Sequence, residues 1–197
     1  MKFINYFKLK RKIFQRLKKE LSKDLLYHNI QHTKEVLKSA IKLAKLEKIS
    51  KDEKYLLKTA CILHDIGYLE KYENNEIIAV KIAKQILPEF NYNSEEIKTI
   101  SQIIMATKMP QIPKDNLSKI ICDADLDNLG KKNFFIKSNL LRFELEKQGK
   151  ILPLKEFYQN QINLLKSHKY FTNSANKLYG KQKEKNLQEL KERLKKE

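Results

Sequence analysis

The chain has 197 residues, 41% hydrophobic and 33% charged, with a formal net charge of +17. That length and balance predict a soluble globular domain, with or without tails, and exclude a disordered chain. No apolar run approaches the ~20 residues of a membrane span, and the basic stretch from Lys8 to Lys12 interrupts any secretory signal.

Only four Gly and four Pro punctuate the chain, among many Leu, Ile, Lys and Glu. This favours long helices over strands and turns, so an all-α fold is expected. Cys61 and Cys122 both sit in apolar runs and read as reduced core residues of a cytoplasmic protein, not as a disulfide framework. The charge points to nucleic acid only weakly. Arg, the better reader of phosphates and bases, accounts for just four of the 41 basic residues. The Lys excess is read as a bias spread over solvated faces, with nucleic acid kept as a lesser alternative.

Residues 3–26 have the period of a basic amphipathic helix, with Phe3, Phe7, Phe14, Leu17, Leu21 and Leu25 on one face. It either packs on the domain with a solvated outer side or meets a membrane surface or nucleic acid. A second helix is expected from Asn29 to Leu46, burying Val36, Leu37, Ala40, Ile41 and Ala44. Ser50 with Glu53 makes a capping box for a third, which places His64 and Asp65 in its last turn and ends at Gly67.

Further helices are predicted over 75–87, from an N-cap at Ser94 to Thr107, and over 115–129, 133–148 and 154–179. A lysine-rich helix follows, solvated or frayed. Pro110 and Pro113 hold an extended loop. Three units follow from this reading: a basic helix over 1–24, a domain over 25–176 and a tail helix over 177–197.

Leu63-His64-Asp65-Ile66-Gly67 is the chemically informative stretch. A charged Asp after a His, in an apolar run, is expensive to bury without a partner. A divalent metal satisfies both groups. His28 and His32, four residues apart, share a helix face. Asp123, Asp125 and Asp127 crowd an Ile-Cys-Ala-Leu context, where a cation would relieve their repulsion.

The order His, His-Asp, Asp on separate helices resembles the HD-domain metal-dependent phosphohydrolases. Tyr27-His28-Asn29, His64 through Tyr68, Ala106 through Pro110, Asp123 through Gly130 and Ser167 through Thr172 are similar to small bacterial HD proteins. Tyr27 through Val36, Tyr72 through Val80, Ala106 through Met109 and Ala124 through Asn128 also resemble cyclic-nucleotide phosphodiesterases.

The resemblance covers residues 25–175 and implies an all-α HD-domain bundle of about seven to nine helices. It implies that His32, His64, Asp65 and Asp125 ligate a divalent ion, with Asp65 also catalytic. Two imidazoles and two carboxylates suit Mn²⁺, Fe²⁺, Zn²⁺ or Mg²⁺. Asp125 rather than Asp123 follows from the family's Ala-Asp pairing; Asp123 and Asp127 then serve supporting or structural roles.

His28 matches the phosphodiesterase position that protonates the leaving oxygen, and an imidazole suits that role. Asn75 stands where related proteins often carry a second His, and Thr107-Lys108 offers none. One tight metal is therefore expected, with a weaker second ion bridged by Asp65 only when substrate is present. Asn75, Lys108 and Arg142 are the candidate substrate contacts. Tyr68 and Glu70 are placed near the mouth, Glu70 more as a surface residue, and His168 is read as a helix residue stacked on Tyr170 or Phe171.

The expected function is hydrolysis of a phosphoester or phosphoanhydride in a small, nucleotide-like substrate. The alternatives are a catalytically weak nucleotide sensor or binding module, and a phosphodiesterase associated with RNA.

Overall fold

The computed structural model describes residues 2–197, with side chains from residue 5 onward. Nine α-helices and no strand occur among the described residues. They are α1 (Lys2–Glu20), α2 (Ile30–Leu46), α3 (Lys51–Leu63), α4 (Asn75–Ile86), α5 (Ser94–Met105), α6 (Asn116–Asp125), α7 (Phe134–Lys147), α8 (Leu154–Ser167) and α9 (Asn173–Leu194). Short 3-10 turns at Ile66–Leu69, Leu87–Phe90 and Asp127–Gly130 follow α3, α4 and α6.

Helix α2 is central and packs on both α3 and α6, while α3 and α4 lean on α5. Leu43, Ala40, Leu57, Ala60, Ile104 and Ile121 are wholly buried in the core these helices share. Each large aliphatic side chain buried there contributes about 1.5–3 kcal/mol relative to an exposed one. A smaller core, built from Leu129, Phe134, Ile162, Leu165, Leu187 and Leu190, joins α7, α8 and α9.

Helix α1 ends at Glu20, short of the expected residue 26. Its buried stripe is Tyr6, Leu9, Ile13 and Leu17, whereas Phe7 is 60% exposed and Phe14 only half-buried. The Phe positions mislead because the helix is turned to bury its aliphatic neighbours. The side chain of Phe3 lies outside the described residues. In α2, Leu43 rather than Ile41 faces inward.

Asn29 caps α2 by accepting from the backbone N–H groups of Gln31 and His32. The Ser50–Glu53 capping box of α3 is present. The cap of α5 is Asn93, boxed with Glu96, rather than Ser94.

Gly67 does not terminate α3. The helix stops at Leu63, with His64 as its C-cap, and Gly67 lies in the following 3-10 turn. A β-carbon on Gly67 would collide with the backbone oxygen of Asn75. This glycine is required by the close approach of α4, not by a helix end.

The segment predicted as one helix over 154–179 breaks at His168. Thr172 caps a new helix by accepting from the Ala175 N–H, and α9 then runs unbroken to Leu194. Its inner side buries Tyr179, Lys183, Asn186, Leu187 and Leu190, so it is not a wholly solvated tail. No helix among the described residues is long and apolar enough to cross a membrane.

Candidate metal centre and its cavity

Four side chains from three regions converge beside the central helix. His32 comes from the first turn of α2, His64 and Asp65 from the end of α3, and Asp125 from the last residue of α6. His32 Nε2 lies 3.1 Å from Asp125 Oδ1 and 3.3 Å from Asp65 Oδ2. His64 Nε2 lies 3.1 Å from Asp65 Oδ2 and 3.6 Å from Asp125 Oδ1. One ligand atom each from His32, His64 and Asp125 falls within 4.8 Å of the others, a grouping that can hold a metal ion.

Two details fit a cation here. His64 Nδ1 donates to the Cys61 carbonyl at 2.9 Å, which leaves a lone pair on Nε2. That Nε2 and the neighbouring Asp65 Oδ2 are both buried and make no hydrogen bond. Buried acceptors left facing one another are costly unless an ion or proton lies between them.

In the metal-free chain the proton takes that role. Burial opposes charge on His32, but its hydrogen bond to Asp125 and the neighbouring Asp65 carboxylate win and push its pKa up to about 9. His64 is likewise raised, against burial, by Asp65 and Asp125. Burial also works against the carboxylates, yet His64 and His32 hold Asp65 well below its usual range. The same two imidazoles bring Asp125 down to about 2.

Beside this centre lies a cavity of about 270 Å³, walled in part by Tyr27, Tyr68, Leu126, Leu141 and Leu164. His28 and Asp65 both open onto it. The His28 ring stacks on Tyr68 at 4.7 Å and sits 5.6 Å from the ring of His32. Its Nδ1 is 2.5 Å from Glu144 Oε1, so Nε2 is the nitrogen left to exchange a proton.

Glu144, on α7, is fully buried. It also accepts from the backbone N–H groups of Tyr27 and His28, at 2.7 and 2.9 Å, and from the Tyr72 hydroxyl at 3.1 Å. Burial raises its pKa, but these partners, His28 foremost, bring it below the usual range. Sequence reasoning missed this residue. Nothing distinguishes it from the other acidic positions in Phe143-Glu144-Leu145-Glu146 except the burial that folding reveals.

Of the candidate substrate contacts, Asn75 lines the cavity, and its Oδ1 is buried without a hydrogen-bond partner. Lys108 and Arg142 do not line it. Lys108 donates to Asn74 Oδ1, and Arg142 turns toward Glu146 and the Phe143 ring. The lysine on the cavity wall is Lys137, paired with Glu35 at 2.7 Å. Gln111 is a second missed residue: its amide donates to Asp125 Oδ2 at 3.3 Å.

Tyr68 lies on the wall, whereas Glu70 is not part of it and faces Lys81 at 3.9 Å. His168 is outside the cavity, at the C-cap of α8, with its ring edge-on to Tyr170. The remaining aspartates are accounted for structurally. Asp123 accepts from the Phe171 and Thr172 N–H groups and the Thr172 hydroxyl, tying down the break before α9. Asp127 pairs with Lys131.

Residues 29–127, half of the chain, match a model of the HD domain. The chain belongs to the HD domain family. The matched segment contains all four converging side chains, while His28 lies one residue before it and Glu144 well after it.

An uncharacterised protein of Clostridium beijerinckii is 35% identical over 112 residues, 54% of this chain and 69% of that protein. Two solved structures share the fold. A predicted HD superfamily hydrolase from an uncultured Thermotogales bacterium matches with a TM-score of 0.65 at 17% identity, over 94% of this chain and 91% of its own. Bacillus subtilis YpgQ, solved in complex with ADP, matches with a TM-score of 0.67 at 20% identity, over 98% and 97%. The fold shared with these two structures thus extends over nearly the whole molecule.

Proposed function

We propose that this HD-domain protein is a metal-dependent phosphohydrolase acting on a phosphoester or phosphoanhydride of a nucleotide-like substrate. The carrying observation is the unsatisfied, buried pair His64 Nε2 and Asp65 Oδ2, completed by His32 and Asp125, with Asp65 and Asp125 bordering a cavity that also presents His28. The ADP complex of YpgQ supports a nucleotide ligand.

In this reading His32, His64, Asp65 and Asp125 hold a single divalent cation. When bound, it supplies Lewis acidity that lowers the pKa of water and neutralises charge on a phosphoryl group. Asp65, which borders the cavity, is placed to orient the attacking water. His28 delivers a proton from Nε2 to the leaving oxygen, while Glu144 fixes the ring through Nδ1. Water adds its oxygen to phosphorus, the bond from phosphorus to the leaving oxygen breaks, that oxygen departs with the proton from His28, and the proton released by the water restores His28.

Tyr68 stacks on His28 and limits its rotation. Asn75 offers an amide to the substrate from the cavity wall. One observation favours the weaker reading of a nucleotide sensor: Asn75 and Thr107 supply the wall where further imidazoles would strengthen a second metal position.

The test is turnover of bis-p-nitrophenyl phosphate and a panel of nucleotides, cyclic ones included, by protein loaded in turn with Mn²⁺, Fe²⁺, Zn²⁺ and Mg²⁺. The hydrolase reading expects turnover that Asp65→Ala abolishes. Nucleotide binding without turnover of any substrate makes the protein a sensor.

A further inference from the structure

The catalytic cavity does not end at its own rim. It shares Asn128 and Lys137 with a larger groove of about 710 Å³, which is lined by five lysines: Lys34, Lys38, Lys42, Lys131 and Lys137. The groove in turn shares Lys34 and Lys38 with an apolar hollow formed by Lys10, Phe14, Leu37 and Ile41. The three depressions form one track from the metal centre, along the outer face of α2, to α1.

The charges on this track are unequal in their commitments. Lys131 is paired with Asp127 and Lys137 with Glu35. Lys34, Lys38 and Lys42 are exposed, and no carboxylate pairs with them among the described residues. Four-residue spacing puts these three on one helix face, about 6 Å apart and spanning about 12 Å. The span exceeds the reach of one triphosphate and suits successive phosphates of an extended strand. At the Lys34 end of the row, Lys10 and Lys34 flank the half-exposed Phe14 ring, at 5.8 and 6.0 Å, a face on which a base can stack.

We propose that the substrate is a single-stranded oligonucleotide, with its terminal nucleotide in the cavity and its chain along the Lys34–Lys38–Lys42 track. This rests on the hydrolase reading above and gives a located role to charge that composition alone assigns to solvated faces. The lysines grip phosphates without reading bases, so affinity is insensitive to sequence and sensitive to salt.

The experiment measures fluorescence anisotropy of labelled oligothymidylates of two to eight nucleotides, at several salt concentrations, with the full-length protein. Three proteins are compared: wild type, Lys34→Ala/Lys38→Ala/Lys42→Ala, and a charge-matched control, Lys51→Ala/Lys84→Ala/Lys98→Ala, whose lysines are exposed away from the track. Wild type is expected to bind more tightly as the strand lengthens beyond two nucleotides. The track variant should lose at least tenfold in affinity, and its log–log salt slope should flatten by about 2, at roughly 0.7 per phosphate for a single strand.

The control should lose less than twofold, and bis-p-nitrophenyl phosphate turnover should be the same in all three. Equal losses in the two triple variants, no dependence on strand length, or no binding by wild type would overturn the proposal. The hydrolase reading fails separately: oligonucleotide binding that depends on the track, with no turnover of any phosphoester, leaves the groove standing and removes the chemistry.

Discussion

Glu144 Oε1 lies 2.5 Å from His28 Nδ1, although 116 positions separate the two residues in the chain. The same carboxylate accepts from two backbone N–H groups at the entrance to α2, so one buried side chain fixes both the ring and the peptide that carries it. Helix α7 therefore contributes to the site through a residue that the HD match does not include.

Replacing Glu144 by Gln keeps the shape and removes the anion. Turnover of a nucleotide phosphoester, whose leaving oxygen needs a proton, is expected to fall about 10- to 100-fold. Turnover of bis-p-nitrophenyl phosphate, whose leaving group departs readily unprotonated, should fall much less. Comparing kcat for the two substrates checks this; equal losses would mean that Glu144 acts on the fold and not through His28.

The pH dependence of the metal-free protein follows from the raised imidazoles. His32 and His64 have folded pKa values above the unfolded one, so their contribution is complete below about pH 6.5. For His32 it is lost as pH rises through about 9. Asp65 and Asp125 are lowered, so theirs is complete above about pH 4 and fades as pH falls through their lowered values, about 2 for Asp125. These are two views of one network and count once.

The Tm of chelator-treated protein should accordingly be highest between about pH 4 and 6.5 and decline toward pH 9. Adding Mn²⁺ should reverse the alkaline decline, because coordination requires neutral imidazoles. An alkaline limb that is flat without metal would contradict the protonated network.

Gly67 is predicted to be intolerant of even one methyl group. Its β-carbon would meet backbone of Asn75 rather than a flexible side chain, so α4 must move. Gly67→Ala should destabilise by about 3 kcal/mol or more, lowering Tm by roughly 6–12 °C for a domain of this size. Circular dichroism melting checks it. A Tm within 2 °C of wild type would show that α4 yields easily.

The all-α class and most helix positions were legible because caps and apolar spacing are local signals; the Ser50–Glu53 box acts where it was read. The convergence of residues 32, 64, 65 and 125 was legible only through resemblance, since it depends on the packing of α2, α3 and α6. The break at His168 was missed because no Gly or Pro marks it. It is held by Asp123, a partner nearly fifty residues upstream. Glu144 and Gln111 were missed for a related reason: their roles come from the burial or neighbours that folding gives them, and their residue types are common on helix and loop surfaces. Lys108 and Arg142 show the converse, where a plausible charge near a motif in sequence turns aside in space.

Metal stoichiometry is the most direct test of the central claim. Chelator-stripped protein titrated with Mn²⁺ by calorimetry should bind one ion per chain tightly, and His64→Ala, folded by circular dichroism, should bind at least a hundredfold more weakly. Wild-type protein that binds no divalent ion, or a His64→Ala variant that binds as tightly as wild type, would contradict the account.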